Sequence, residues 1–219
     1  MSAQQPSWAD FTPACLYSQA VGFLGLGALF AGLVPALSAV ILIPWFFGIA
    51  LVNIIGGIIL MRNNNIFAGT LNFIVGAVFF TSGNWAALLT RVVGFPLAAP
   101  SFGMFNQVAL PTQIDGWFFG MLVIFLIVAG ILALRLAWFV GVMIFVVAVA
   151  VIFGPCIWNL MGQPGVPTDP AAAISNPFAM ISGIFFIVFA FMNLYLATSL
   201  WVLHDTGKLV LPIGKPWLK

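Results

Sequence analysis

The stretch from Cys15 to Met61 contains no charged residue and is apolar over nearly its whole length. A helix needs about 20 apolar residues to cross a bilayer, so this stretch is too long for one spanning helix and fits two. Pro35 and Pro44, with Ser38 between them, mark the turn between the two helices. The stretch therefore predicts a membrane protein that begins with a pair of antiparallel spans.

The rest of the chain has the same character. Of its 219 residues, 63% are hydrophobic and 5% are charged, whereas about 25% of the residues of a soluble domain are charged. The charged residues fall at the edges of the apolar runs or outside them. We predict an all-α integral membrane protein with one domain over residues 1–219. The N-terminus lacks the positive region of a signal peptide, so we expect the first helix to be retained.

Prolines, arginines and polar turns divide the chain into six predicted transmembrane helices. Arg62-Asn-Asn-Asn65 is a polar turn before the third span, and Arg135 alone separates the fourth from the fifth. Two segments rich in proline are predicted to be external loops. The predicted spans are about 16–35, 40–61, 66–89, 117–134, 136–154 and 178–203, and the predicted external loops are about 92–116 and 155–177.

The distribution of Lys and Arg predicts the orientation, because cytoplasmic loops carry an excess of both. If the N-terminus is cytoplasmic, only Arg91 lies outside, and the inner basic residues are Arg62, Arg135, Lys208, Lys215 and Lys219. We therefore predict that both termini are cytoplasmic and that the protein lies in the inner or plasma membrane of the cell.

The predicted spans contain no Asp, Glu, Lys, Arg or His. Ionisable groups at membrane depth mark proton relays and ion pathways, and catalysis or metal binding needs comparable groups. The one histidine, His204, falls at the inner end of the last span. We predict that the protein is not an enzyme, has no catalytic residue and binds neither a metal nor a cofactor. Its net charge of +2 lies in the flanks, so no nucleic-acid partner is expected.

Uncharged polar residues are the remaining chemistry inside the predicted bundle. An amide in hydrocarbon is costly unless it pairs with another polar group or faces water. Two interpretations stay open: these side chains form hydrogen bonds between helices, or some of them line a narrow polar path. The candidate pore-lining residues are Gln19, Asn53, Asn72, Asn193 and Tyr195.

The end of the chain carries a motif. Tyr195-Leu196-Ala197, followed by Gly207-Lys208-x-Val210-Leu211-Pro212-Ile213-Gly214, resembles the end of the acetate uptake transporter family, also called the acetate/succinate transporter or succinate-acetate permease family. Weaker matches to that family are Thr12-Pro13-Ala14-Cys15-Leu16, Phe46-Phe47-Gly48 and Asn64-Asn65-Ile66-Phe67 with Thr70 and Gly76. The resemblance covers all six predicted spans in order.

The resemblance implies a six-helix protomer with cytoplasmic termini, assembled into a homohexamer in which each protomer has its own pore for small carboxylates. The pores of this family narrow at three apolar positions, usually Phe, Tyr and Leu. Aligned on the motifs, these positions fall on Val21, Val75 and Ile144. All three residues are apolar, and the two aromatic rings are absent from them.

The leading hypothesis is a membrane channel or transporter for a small monocarboxylate such as acetate, either passive or linked to protons. Without a buried cation, the neutral acid, or an anion held by amide and hydroxyl donors, is the less costly permeant. One alternative is a channel for a small neutral solute such as urea or a short amide. Another is a non-transporting structural subunit, which would bind a partner membrane protein through the external loops.

Overall fold

The computed structural model describes residues 9–35, 38–81, 113–161 and 170–218, which form helices joined by turns. Two of the helices change from the α to the wider π form before they end: α3 continues as a π-helix over Val75–Phe79, and α5 over Ile152–Trp158. The α-helices are α1 (Thr12–Phe30), α2 (Ala39–Arg62), α3 (Ile66–Ile74), α4 (Gln113–Ala133), α5 (Trp138–Val151), α6 (Pro170–Ser175) and α7 (Pro177–Thr206).

Five helices in the described part of the chain are long and apolar enough to cross a membrane: Thr12–Phe30, Pro44–Arg62, Asp115–Ala133, Trp138–Trp158 and Pro177–Thr206. The third predicted span appears as the shorter apolar helix Ile66–Phe79, and its second half lies outside the described residues. For the described residues, an all-helical architecture with several helices suited to crossing a membrane is thus confirmed. The count of six spans and the orientation of the termini stay predictions.

Helix α1 ends at Phe30, earlier than the predicted end near residue 35. Gly32 adopts a left-handed conformation (φ 67°). The N–H of Gly32 donates to Leu29 O (3.1 Å), and the N–H of Leu33 donates to Ala28 O (2.9 Å). This is the Schellman arrangement that commonly ends helices at glycine. The prediction missed it because it took Pro35, rather than Gly32, as the end signal.

The predicted external loops are also shorter than expected at their described ends. Helix α5 runs through Pro155, where the second loop was predicted to begin. Proline lacks an N–H and its ring displaces a preceding carbonyl, and the π form accommodates this change without ending the helix. Helix α4 begins at Gln113, inside the first predicted loop, and α6 lies in the second. Residues 82–112 and 162–169 lie outside the described part.

Helices α1 and α7 are in direct backbone contact at the centre of the bundle. A Cβ atom on Gly27 would lie 2.9 Å from Gly183 O, and a Cβ on Gly183 would lie 2.7 Å from Ala31 Cα. Small residues permit such an approach, which favours association where no hydrophobic force drives helices together in lipid. The fully buried rings of Phe30 and Phe186 pack beside this contact.

The C-terminal tail, residues 207–218, folds back onto the end of α7 and onto the turn between α4 and α5. Its hydrogen bonds run from Tyr195 Oη to Pro212 O (2.8 Å), from Ser199 Oγ to Leu211 O (2.9 Å), from Trp138 N to Lys215 O (3.2 Å) and from Trp217 N to Leu134 O (2.8 Å). The family motif therefore binds to the last helix through Leu211 and Pro212, and the residues that follow it bind to the α4–α5 hairpin. The tail and the Arg135 turn lie at the same end of the bundle, where the basic residues predict the cytoplasmic side.

Gly214 is expected to be the residue on which tail docking depends. Both Gly214 (φ 84°) and Gly207 (φ 66°) are left-handed, but a Cβ on Gly214 would overlap the indole of Trp138, whereas a Cβ on Gly207 meets nothing within 4 Å. Gly207→Ala should lower the free energy of unfolding by only about 1 kcal/mol, because alanine disfavours the left-handed conformation. Gly214→Ala should also detach the tail, so that the Trp217 amide exchanges its hydrogen much faster. Equal exchange in the two variants would contradict the contact.

Candidate permeation cavity

A cavity of about 180 Å³ lies between α1, α3, α4, α5 and α7. Most residues that line it are apolar, among them Leu71, Leu126 and Val140. Its polar lining residues are Thr12, Gln19, Asn65 and Asn72. Thr12, Asn65 and Leu136 lie at helix ends beside turns, and Leu136 is more than half exposed. This is the mouth of the cavity, at the end of the bundle where the tail docks.

Five phenylalanines pack together at the end of the cavity opposite its mouth. We call Phe23, Phe79, Phe80, Phe186 and Phe189 the phenylalanine cluster. The ring centroid of Phe23 lies 5.0, 5.2, 5.5 and 4.8 Å from those of the other four, in that order. All five side chains are buried. Phe23, Phe79 and Phe189 line the cavity, with the other two rings packed behind them. The cavity therefore ends at a group of packed aromatic rings.

Three buried amide side chains, Gln19, Asn53 and Asn72, join α1, α2 and α3, and we call them the amide network. Gln19 Nε2 donates to Asn53 Oδ1 (2.6 Å) and to Asn72 Oδ1 (2.8 Å). Gln19 and Asn72 also line the cavity, whereas Asn53 lies behind them. The amides therefore bind one another across helices, and two of them also contribute polar surface to the cavity. That they line a polar path through the membrane stays a prediction.

The other two polar candidates do not line the cavity. Asn193 is fully buried in α7 and donates from Nδ2 to Phe189 O (3.0 Å), while its Oδ1 has no donor among the described residues. Tyr195 bonds the tail at Pro212 and packs its ring on Phe139, 5.1 Å between centroids. Successive helical residues point about 100° apart, so Leu196 faces the cavity and Tyr195 faces the tail.

Of the three positions aligned with the family constriction, Val75 and Ile144 line the cavity and Val21 does not. Val21 is 51% exposed on the outer surface of the helix bundle. Gln19 and Phe23 are four residues apart and share the inner face of α1, so the residue midway between them faces outward. Val21 thus lies outside this cavity. Whether Val75 and Ile144 narrow a conducting path stays a prediction.

The sequence interpretation missed the aromatic residues of the cavity. It looked for rings at Val21 and Val75 and found none, but Phe23 and Phe79 supply rings two and four positions further along. Phe23 could have been found from helical spacing, because Leu16, Gln19 and Phe23 recur on one face of α1. Phe79 lies in the π segment, where the ordinary helical spacing does not apply.

No charged side chain is among the residues that line the cavity in the described part of the chain. The charged residue nearest to α1 in the sequence is Asp10, which precedes the helix and whose carboxylate accepts hydrogen bonds from Thr12 N (3.0 Å) and Thr12 Oγ1 (2.6 Å). Within the same described ranges, no group of three His, Cys, Asp or Glu side chains could hold a metal ion. The cavity is suited to a small molecule with an apolar body and one polar end.

Neither a protein-family model nor a curated protein sequence matches the chain. The solved structure of the bacterial acetate channel SatP is similar, with a TM-score of 0.72 over 94% of this chain and 99% of that chain, at 19% sequence identity. The likeness extends over nearly the whole of both chains, including the helices that surround the cavity. The protein therefore has the fold of a bacterial acetate channel, in agreement with the resemblance to the acetate uptake transporter family found in its sequence.

Proposed function

We propose that the protein is a multi-pass membrane channel or transporter for a small monocarboxylate such as acetate, and that the cavity is part of its pathway. The observation that carries the proposal is a small apolar cavity with an amide network at its side, inside a fold shared with an acetate channel. Flux is passive in this proposal, because none of the described residues that line the cavity is ionisable and could couple flux to a proton.

The lining fits both ends of such a substrate. The methyl group lies against side chains such as Leu71, Val140 and Ile144, where burial stabilises a methylene-sized group by about 0.8 kcal/mol. The carboxyl end lies at Gln19 and Asn72, the polar residues on the wall of the cavity beyond its mouth. A larger apolar solute would lack this polar contact, and a fully polar one would lose hydration along most of the wall.

The phenylalanine cluster is the proposed gate. Hydrophobic constrictions close pores by excluding water, and open when their side chains move apart. The rings of Phe23, Phe79 and Phe189 meet at the end of the cavity, so a solute leaves toward the other side of the membrane only when these rings move. Val75 and Ile144 form the narrow wall that leads to the gate.

The proposed setting is the inner or plasma membrane, with the homohexamer that the family resemblance implies. Helix α2 carries many exposed apolar side chains, including Ile41, Trp45, Leu51 and Ile55, and lines no part of the cavity. Such a surface on a membrane helix suits contact with lipid or with neighbouring protomers.

The test of the proposal is uptake of labelled acetate by liposomes that contain the purified protein. The initial rate should exceed several-fold that of protein-free liposomes of the same lipid and pH. Excess unlabelled acetate should suppress the protein-dependent part of the uptake, and excess urea should suppress it less. Protein-dependent uptake that urea abolishes and acetate spares would point to the neutral-solute channel instead. Equal rates with and without protein would refute transport.

A further inference from the structure

The amide network fixes the direction in which each of its side chains points. Asn53 Nδ2 donates to Ile49 O (2.8 Å) and to Ser18 Oγ (3.0 Å). Asn72 Nδ2 donates to Ala68 O (2.8 Å). Backbone carbonyls can only accept hydrogen bonds, so the nitrogen of each asparagine must face its own helix. The oxygen of each, Oδ1, is thereby turned toward Gln19.

Gln19 is oriented in turn by these two oxygens. Both Oδ1 atoms are acceptors, so only the amide nitrogen of Gln19 can lie between them, and both of its hydrogens are used. The carbonyl oxygen Oε1 remains. Oε1 accepts no hydrogen bond from the described residues. It is also not one of the fully buried polar atoms that lack a partner there. Because Gln19 lines the cavity, Oε1 is the polar atom that it offers to a ligand.

An exposed carbonyl oxygen accepts a hydrogen bond and repels an anion. A carboxylate has acceptor oxygens only, whereas a protonated carboxylic acid has an O–H donor and a carbonyl acceptor, and a primary amide has N–H donors and the same acceptor. Asn72 Nδ2 has a second hydrogen that is not used by Ala68. The network thus offers one acceptor and one donor. The two neutral molecules can bond to both, whereas the anion can bond to the donor and is repelled by the acceptor.

We propose that Gln19 Oε1 makes this cavity selective for uncharged donors, so that acetate is carried as acetic acid and small primary amides compete with it. The inference rests on the proposed function and goes beyond it by naming the protonation state and a specificity-determining residue. Nothing charged in the described lining would offset the cost of an anion here, and an unpaired buried charge is far more costly than an unpaired neutral group. The protein itself binds no proton, and the acid loses its proton to water after release.

The first test compares uptake of labelled acetate at pH 7 and pH 6 at constant total acetate, with the rate of protein-free liposomes subtracted. Carboxyl groups of this type ionise at about pH 4–5, so the neutral fraction rises about tenfold between these values. The protein-dependent rate should rise about tenfold as well. Acetamide, which does not ionise over this range, should inhibit at both values. Planar bilayers with the protein should show no current driven by an acetate gradient.

The second test separates Gln19 from the network that supports it. Gln19→Met keeps the length of the side chain and removes Oε1 together with the two Nε2 hydrogen bonds, whereas Asn53→Leu removes one of those bonds and leaves Oε1 in place. The acetamide concentration needed for half-inhibition should rise about fivefold to tenfold in Gln19→Met, as expected for one lost hydrogen bond. It should change little in Asn53→Leu. Equal shifts in the two variants would show that Gln19 acts only through packing.

The outcomes distinguish this inference from the proposed function. Protein-dependent uptake that carries current and does not change between pH 7 and pH 6 would overturn the neutral-acid inference and leave an acetate channel in place. Uptake insensitive to acetamide would overturn it in the same way. No protein-dependent uptake at either pH would overturn both.

Discussion

Replacing Val75 with tryptophan is expected to reduce protein-dependent acetate uptake to the rate of empty liposomes. Val75 lines the cavity where α3 changes to the π form, about one helical turn beyond Asn72. An indole at this position would occupy much of the roughly 180 Å³ available, between the amide network and the phenylalanine cluster. The measurement is the initial rate of labelled acetate uptake at equal amounts of reconstituted protein.

Val21→Trp is the matched control, because the same substitution is made at a position that the family alignment also marks but the structure places outside. Val21 is half exposed and away from the cavity, so its variant should transport at the wild-type rate. Retained transport in Val75→Trp, or its loss in Val21→Trp alone, would contradict the location of the pathway.

Replacing Gly183 with alanine is expected to be the most destabilising single methyl addition in the described bundle. The new Cβ would overlap the backbone of α1 at Phe30 and Ala31, and backbone atoms cannot turn aside as a flexible side chain does. Overpacking of this kind costs about 3 kcal/mol, and here it would force the two central helices apart. The midpoint of thermal unfolding in detergent should fall sharply, and much of the protein should aggregate.

Gly48→Ala is the control for this prediction. Gly48 lies within α2, and a Cβ there meets nothing within 4 Å. Alanine favours a helix over glycine by about 1 kcal/mol, so this variant should unfold at the wild-type temperature or slightly above it. If both variants unfold alike, α1 and α7 are not in backbone contact.

The membrane architecture could be predicted from sequence because its physical cause is local. Long apolar runs with no buried charge leave no stable fold other than spanning helices, and Arg62 and Arg135 mark turns where runs end. The helix ends were less well predicted, and Gly32 and Pro155 are the two examples. The glycine ends α1, and the proline is absorbed into a π segment of α5.

The cavity could be predicted only in part. The cost of a lone amide in lipid singled out Gln19 and Asn72, and these residues line the cavity. The same reasoning could not separate them from Asn53 and Asn193, because a polar side chain can be buried behind the wall as well as lie on it; Asn53 is hydrogen-bonded there, and Asn193 leaves its Oδ1 without a donor among the described residues. That distinction depends on helix rotation, which polarity alone does not report.

The family alignment marked Val21, which lies on the side of α1 that faces away from the cavity. Val21 and Phe23 are two residues apart and point in nearly opposite directions on α1. In α3 the π segment adds to the difficulty, because its wider turn rotates Phe79 relative to an ordinary α-helix. Which residues line a cavity depends on the direction of each side chain. A motif of five residues at a helix end does not determine that direction.

Protection of a cysteine in the cavity by acetate tests most directly that a small carboxylate occupies this site, and it does not depend on leakage through lipid. Cys15 and Cys156 are buried and would be replaced by alanine, with a single new cysteine placed at Val140 on the cavity wall or at Val21 outside it. We predict that acetate slows alkylation of Val140→Cys several-fold and leaves Val21→Cys unchanged. Alkylation of Val140→Cys at the same rate with and without acetate would contradict the account.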